Sequence, residues 1–147
     1  MVETKQNMYT HSTQLRVRYG ETDQMGYLYY GNYAQYYEVG RVEMLRSLGL
    51  TYKAMEETYG VLMPVMSLNQ RFVRPAHYDD LLTIKTSLKK MPNLFITFQV
   101  EIYNEKEELV NGGSVKLCFV DNTTNESIPA PTYLTDKLSP FFNKDES

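Results

Sequence analysis

Tyr19-Gly20-Glu21-Thr22-Asp23-Gln24-Met25-Gly26-Tyr27-Leu28-Tyr29-Tyr30-Gly31-Asn32-Tyr33 is the stretch on which the reading of this chain turns. Just before and into it, Leu15-Arg16-Val17-Arg18-Tyr19 alternates apolar and polar residues, the pattern of a half-buried strand. Within it, one short carboxylate, Asp23, lies in an irregular segment punctuated by Gly26 and Gly31. At its end, Asn32 reads as a helix N-cap with Gln35 as capping-box partner. Tyr33, Tyr37, Gly40, Met44 and Leu48 then share one helical stripe, flanked by Ala34, Tyr36 and Leu45. Gly49 closes a helix of about 16 residues. A carboxylate facing a helix N-terminus can attack a carbonyl. The free N–H groups hold the developing oxyanion while the carboxylate works on water or on the carbon.

Further along, a short helix is expected over Thr51–Tyr59, stopping at Gly60. Val61–Arg74, Leu81–Lys90, Leu94–Tyr103 and Glu108–Val120 are rich in β-branched and aromatic residues and read as strands. The turns between them are Pro75–Asp80, Pro92-Asn93 and Asn104–Lys106, the last two short enough for antiparallel hairpins. A further turn at Asp121–Asn125 precedes a short helix near Tyr133–Leu138. One strand, one long apolar helix and a run of strands make an α+β chain, an antiparallel sheet with a helix. Residues 1–11 read as a flexible leader, 12–142 as a single domain and 143–147 as a tail.

The chain has 147 residues and a net charge of −3, which argues against a general nucleic-acid binder but leaves room for a local basic patch. A single cysteine, Cys118, excludes an internal disulfide and suits a reducing compartment. No apolar run reaches the roughly 20 residues of a membrane-spanning helix. The expectation is therefore a soluble, cytoplasmic protein.

Thirteen tyrosines stand against no tryptophan, and six of them (Tyr27, Tyr29, Tyr30, Tyr33, Tyr36 and Tyr37) fall close together. Ring packing is the default reading, and a ring-lined acyl pocket is the sharper one. Asp23 on its own is most simply a turn residue bonding its own backbone. Glu21 is expected to face solvent. Arg41 is expected to pair with Glu38 at a subunit seam. Cys118 reads as an inert buried thiol. With only His11 and His77 available, neither a Cys–His nucleophile nor a zinc site is supported.

Two segments together carry a resemblance. Thr22-Asp23-x-x-Gly26 followed by Tyr30-Gly31-Asn32-Tyr33, and Phe72-Val73-Arg74-Pro75-Ala76-x-Tyr78-Asp79-Asp80-Leu81-Leu82, resemble the hotdog-fold acyl-CoA thioesterases of the 4-hydroxybenzoyl-CoA thioesterase branch. The resemblance runs from about Leu15 to Pro131. It implies a single hotdog fold, an antiparallel five- to six-stranded sheet wrapped around a long central helix. It implies that Asp23 is the catalytic carboxylate and that Tyr30 offers its backbone N–H to the thioester carbonyl. Gly26, Gly31, Asn32 and Tyr33 complete the expected substrate site. It also implies a homodimer joined edge to edge, or a homotetramer, with active sites at the subunit interface. Candidate CoA-phosphate contacts are Arg71, Arg74, Lys89 and Lys90. The basic charge of the Lys89-Lys90-Met91-Pro92-Asn93 turn comes earlier than the family pattern has it.

The expected activity is hydrolysis of an aromatic or short- to medium-chain acyl-CoA to free acid and CoA. Asp23 would act as general base or as nucleophile, and the sequence leaves both routes open. No metal or organic cofactor is implied. The alternatives are a non-catalytic acyl-binding or assembly module and a thioesterase acting on acyl-carrier protein.

Overall fold

The computed structural model describes residues 7–142. Positions 1–6 of the expected leader, and the expected tail, lie outside the described residues. Strand β1 spans Tyr9–Arg16, so residues 9–11 belong to the sheet rather than to a leader, and the strand ends before Val17. The missed register has a simple cause. The strand alternates half-buried and exposed residues, but Thr10, Ser12 and Gln14 face water and dilute the apolar signal.

Helix α1 (Tyr33–Ser47) and the short helix α2 (Tyr52–Glu57) follow, the latter capped by Thr51, whose Oγ1 accepts the Ala54 N–H at 3.0 Å. Then come β2 (Val61–Leu62), β3 (Val65–Phe72), β4 (Leu81–Leu88), β5 (Phe95–Tyr103), β6 (Leu109–Asp121), β7 (Ser127–Ile128) and α3 (Thr132–Leu138). The strands form one antiparallel sheet in which β1, β4, β5 and β6 lie side by side, with β3 along the far edge of β6. Among the described residues seven strands stand where five or six were expected. The additions are the two-residue β2 and β7, which pair with the far end of the long β6.

The long helix lies in the curve of this sheet, as the hotdog layout requires. Tyr36, Tyr37, Met44 and Leu45 meet Leu82, Ile84, Phe98, Ile102 and Leu117, all with essentially no exposure. Each such apolar side chain contributes about 1.5–3 kcal/mol by leaving water. Helix and sheet approach closely at Gly40, where an added Cβ would lie 2.5 Å from Thr86 Oγ1 and 2.7 Å from Ile84 Cγ2. Gly49 takes a φ of +84° just after the helix, the left-handed cap its sequence position suggested.

Three local expectations change. A 3-10 turn, Tyr30–Asn32, precedes the α-helix, and Asn32 is itself helical. Its side chain makes no cap; Nδ2 donates instead to the Glu21 carbonyl at 2.9 Å. Arg41 is buried, and its Nε donates to the Tyr52 hydroxyl at 3.0 Å rather than pairing with Glu38. Glu21, expected in solvent, is only 8% exposed.

Helix α1 packs mainly over β1, β4 and β5 and meets β3 through Tyr33 and Phe72, whose rings lie 5.5 Å apart. Val65, Met66, Leu68 and Phe72 of β3 are exposed. No helix among the described residues is long and apolar enough to cross a membrane.

Candidate active site

The segment between β1 and α1 doubles back on itself. Thr22 bridges to Leu28, and the Asp23 N–H donates to the Tyr27 carbonyl at 2.8 Å. The Gly26 N–H donates to the Asp23 carbonyl at 2.9 Å, with Gly26 at φ +80°, a conformation that favours glycine. Inside this turn Asp23 Oδ1 accepts two backbone N–H groups, from Met25 at 2.9 Å and Tyr27 at 3.1 Å. The carboxylate is thereby fixed by one oxygen while Oδ2 makes no hydrogen bond among the described residues. The turn-residue reading of Asp23 and the catalytic one are thus compatible.

The second motif packs against the first. The Leu28 N–H donates to the Ala76 carbonyl at 2.7 Å, and Tyr27 bridges to His77. The Val17 N–H donates to the Asp80 carbonyl, and the Asp79 N–H to the Val17 carbonyl, both at 2.9 Å. The two segments that carry the resemblance are therefore one structural unit.

At the helix start, the Asn32 N–H donates to the Tyr29 carbonyl, and the Tyr33 N–H to that of Tyr30. The Tyr30 and Gly31 N–H groups have no acceptor among the described residues, as expected for the first turn of a helix. At Gly31 a Cβ would lie 2.7 Å from Cε2 of the Tyr29 ring, which would have to turn aside. The Tyr29 phenol is held above its ordinary pKa by its hydrogen bond to Tyr30 and by the Tyr30 charge; burial and the Asp23 charge add smaller contributions.

The tyrosines divide by position. Tyr33, Tyr36 and Tyr37 are core, and burial drives the Tyr33 phenol up to about 12. Tyr27, Tyr29 and Tyr30 are open to solvent, Tyr30 at 65%. Tyr30 and Tyr33 both meet the Phe72 ring edge-on, at 6.1 and 5.5 Å, and Tyr27 meets the His77 ring at 5.4 Å. Tyr30, Tyr33 and Phe72 thus form one ring cluster, and Tyr27 and His77 a ring pair at the Asp23 turn.

Asp23, Gly26, Tyr30, Gly31, Asn32 and Tyr33 come together in this unit. The candidate cations do not join them. Arg71 and Lys89 line a polar trough of about 760 Å³ with Lys85 and Glu101, which includes no residue of the 19–33 segment. Arg74 donates to the Leu109 carbonyl at 3.0 Å and pairs with Glu108 at 3.2 Å. Lys90 is exposed on the turn after β4. Among the described residues no group of three or more His, Cys, Asp and Glu could hold a metal ion.

Sequence reasoning missed Glu21. Burial alone would raise its carboxyl, but hydrogen bonds from the Arg18 side chain, the Arg18 N–H and Tyr36 outweigh it and hold the group below the usual carboxylate range. The one local signal was the three-residue spacing from Arg18, since Tyr36 lies far along the chain.

The family model described as Thioesterase superfamily matches residues 25–111, more than half of the chain. The chain belongs to the thioesterase superfamily. This thioesterase is 35% identical over 112 residues to YneP of Bacillus subtilis (strain 168), covering 76% of this chain and 80% of that one. It is 32% identical over 107 residues to the acyl-CoA thioester hydrolase YbgC of Escherichia coli O6:H1, covering 73% and 79%. The DHNA-CoA thioesterase structure from Staphylococcus aureus superposes with a TM-score of 0.80 at 35% identity, over 86% of this chain and 85% of that one. These relationships make the thioesterase a thioester hydrolase, with the hotdog fold expected of it.

Proposed function

We propose that this thioesterase hydrolyses acyl-CoA to free acid and CoA, with Asp23 as its catalytic carboxylate. The observation that carries the reading is Asp23 itself, pinned through Oδ1 with Oδ2 free, in the loop that leads into a helix start with two unengaged N–H groups. The thioester carbonyl oxygen would sit against the Tyr30 and Gly31 N–H groups, where the helix dipole also favours negative charge. Asp23 either takes a proton from water as water attacks the carbonyl carbon, or attacks that carbon itself to form an anhydride that water then opens. In both routes the C–S bond breaks and CoA leaves as the thiolate. The exposed rings of Tyr27, Tyr29, Tyr30 and Phe72 form a surface suited to an aromatic or short- to medium-chain acyl group.

The site is completed by a second copy of the chain. The free edge of β3, with Val65, Met66, Leu68 and Phe72 exposed, suits pairing with the same strand of another copy. The candidate phosphate contacts remain Arg71, Arg74, Lys89 and Lys90. Arg71 and Lys89 already share a trough, whereas Arg74 would first have to leave Glu108.

The test is release of free thiol from a panel of benzoyl-, 4-hydroxybenzoyl-, hexanoyl- and octanoyl-CoA. Turnover of at least one is expected. Tight binding without any thiol release would favour the acyl-binding module instead.

A further inference from the structure

Glu21 collects five hydrogen bonds at the junction of β1, the site loop and α1. Its Oε1 accepts from the Arg18 N–H at 2.9 Å and from the Tyr36 hydroxyl at 2.8 Å, and its Oε2 accepts from Arg18 Nη2 at 2.9 Å. Its own carbonyl accepts from the Tyr29 N–H and from Asn32 Nδ2, each at 2.9 Å. Tyr36 is 1% exposed and lies one turn into the helix, so the Glu21 carboxylate is anchored to the core side of α1.

The two groups assigned to the reaction lie on two separate arms tied to this hub. Asp23 follows Glu21 by two residues, along the arm held by the Thr22–Leu28 bridge. Tyr30 and Gly31 lie between the two residues, Tyr29 and Asn32, that bond to the Glu21 carbonyl. A shift of Glu21 therefore moves the carboxylate relative to the N–H donors, while leaving each arm intact. Phe72, on β3, and the Tyr27–His77 ring pair make no bond to Glu21.

We infer that Glu21 is a positioning residue: bound to Tyr36 and Arg18, it sets the spacing between Asp23 and the Tyr30–Gly31 N–H donors, and it governs turnover rather than substrate capture. The inference rests on the reading of Asp23 and the helix start given above. A purely structural Glu21 would make the opposite prediction, lowering the melting temperature and nothing else. Misplacement of reacting groups by about 1 Å can cost about 100-fold in rate, so a smaller displacement accounts for a loss of about tenfold.

The test uses the full chain with benzoyl-CoA and hexanoyl-CoA, comparing wild type with Glu21→Gln, Tyr36→Phe, the double variant and Asp23→Asn, well below every melting temperature. Tyr36→Phe removes only the hydroxyl that anchors Oε1. Glu21→Gln keeps the shape and places an amide against Arg18. Each single variant is expected to lower kcat by about tenfold or more with KM within about twofold, the split expected when only transition-state geometry is lost. The double variant should be no worse than the worse single, because both act through one bond. Should Glu21→Gln fail to fold, Tyr36→Phe decides alone. Wild-type kcat in Tyr36→Phe and Glu21→Gln, or a rise in KM alone, while Asp23→Asn loses turnover, overturns the inference and spares the assignment of Asp23. Retained turnover in Asp23→Asn overturns both.

Discussion

The Tyr37 hydroxyl donates to Asn111 Oδ1 at 2.5 Å, tying the second turn of the central helix to β6 with both residues fully buried. Asn111 Nδ2 continues the chain to Gln70 Oε1 on β3 at 3.2 Å. Helix, central strand and edge strand are thus joined by one short polar line through the core.

Tyr37→Phe should therefore destabilise the fold, because it leaves a buried amide oxygen without its donor. Such a group costs about 1–3 kcal/mol. Urea unfolding monitored by circular dichroism checks this. A variant as stable as wild type would show that the bond contributes nothing net.

Glu21 predicts a pH dependence of stability. Its carboxyl is depressed below its ordinary 4.5 in the folded chain, so its contribution is complete above that value and is lost as pH falls through the lower, folded-state value. The gap in melting temperature between wild type and Glu21→Gln should thus be widest at neutral pH and narrow below about pH 4.5. A gap that stays constant into the acid range would contradict this account of the carboxylate.

How legible this was in the sequence depends on the range of the interactions. The stripe of α1 and the four later strands follow from periodicity, which is set by near neighbours. The start of β1 was hidden because its outward face is Thr10, Ser12, Gln14 and Arg16, which reads as polar chain until Leu81–Leu88 pairs with it. Asn32 carries a cap signature, but its amide is drawn away by the Glu21 carbonyl. Glu21 in turn is buried by Tyr36, a contact that no local pattern announces. At Asp23 the loop chemistry was readable, since Asp beside Gly folds onto its own backbone, and the free N–H groups of the helix start were expected from the helix that follows.

The backbone role of Tyr30 can be separated from its side chain. Tyr30 opens the 3-10 turn, and Tyr29 before it is extended at φ −62°, ψ 133°, a conformation that proline tolerates in its predecessor. Tyr30→Pro deletes the N–H donor, Tyr30→Ala deletes the ring, and Tyr30→Phe deletes only the hydroxyl. Loss of one oxyanion donor costs about 100-fold or more in turnover, so the proline variant should fall far below the other two while its circular dichroism matches wild type. Loss of turnover in a folded Tyr30→Phe would show that the hydroxyl acts directly.

Assembly is expected through β3. Light scattering should give the mass of two or four chains, and Leu68→Asp, at a position exposed in the single chain, should shift that mass toward the monomer. A wild-type monomer, or an assembly indifferent to Leu68→Asp, would place the interface elsewhere.

The central claim is that Asp23 supplies the carboxylate of the reaction, and turnover of Asp23→Asn tests it most directly. Asparagine keeps an oxygen to accept the Met25 and Tyr27 N–H groups, so the loop should hold its shape while the negative charge and the basicity are lost. The account predicts a fall of about 100-fold or more in kcat, in line with removal of a general base, with acyl-CoA binding largely kept. Undiminished thiol release by a folded Asp23→Asn protein would contradict it.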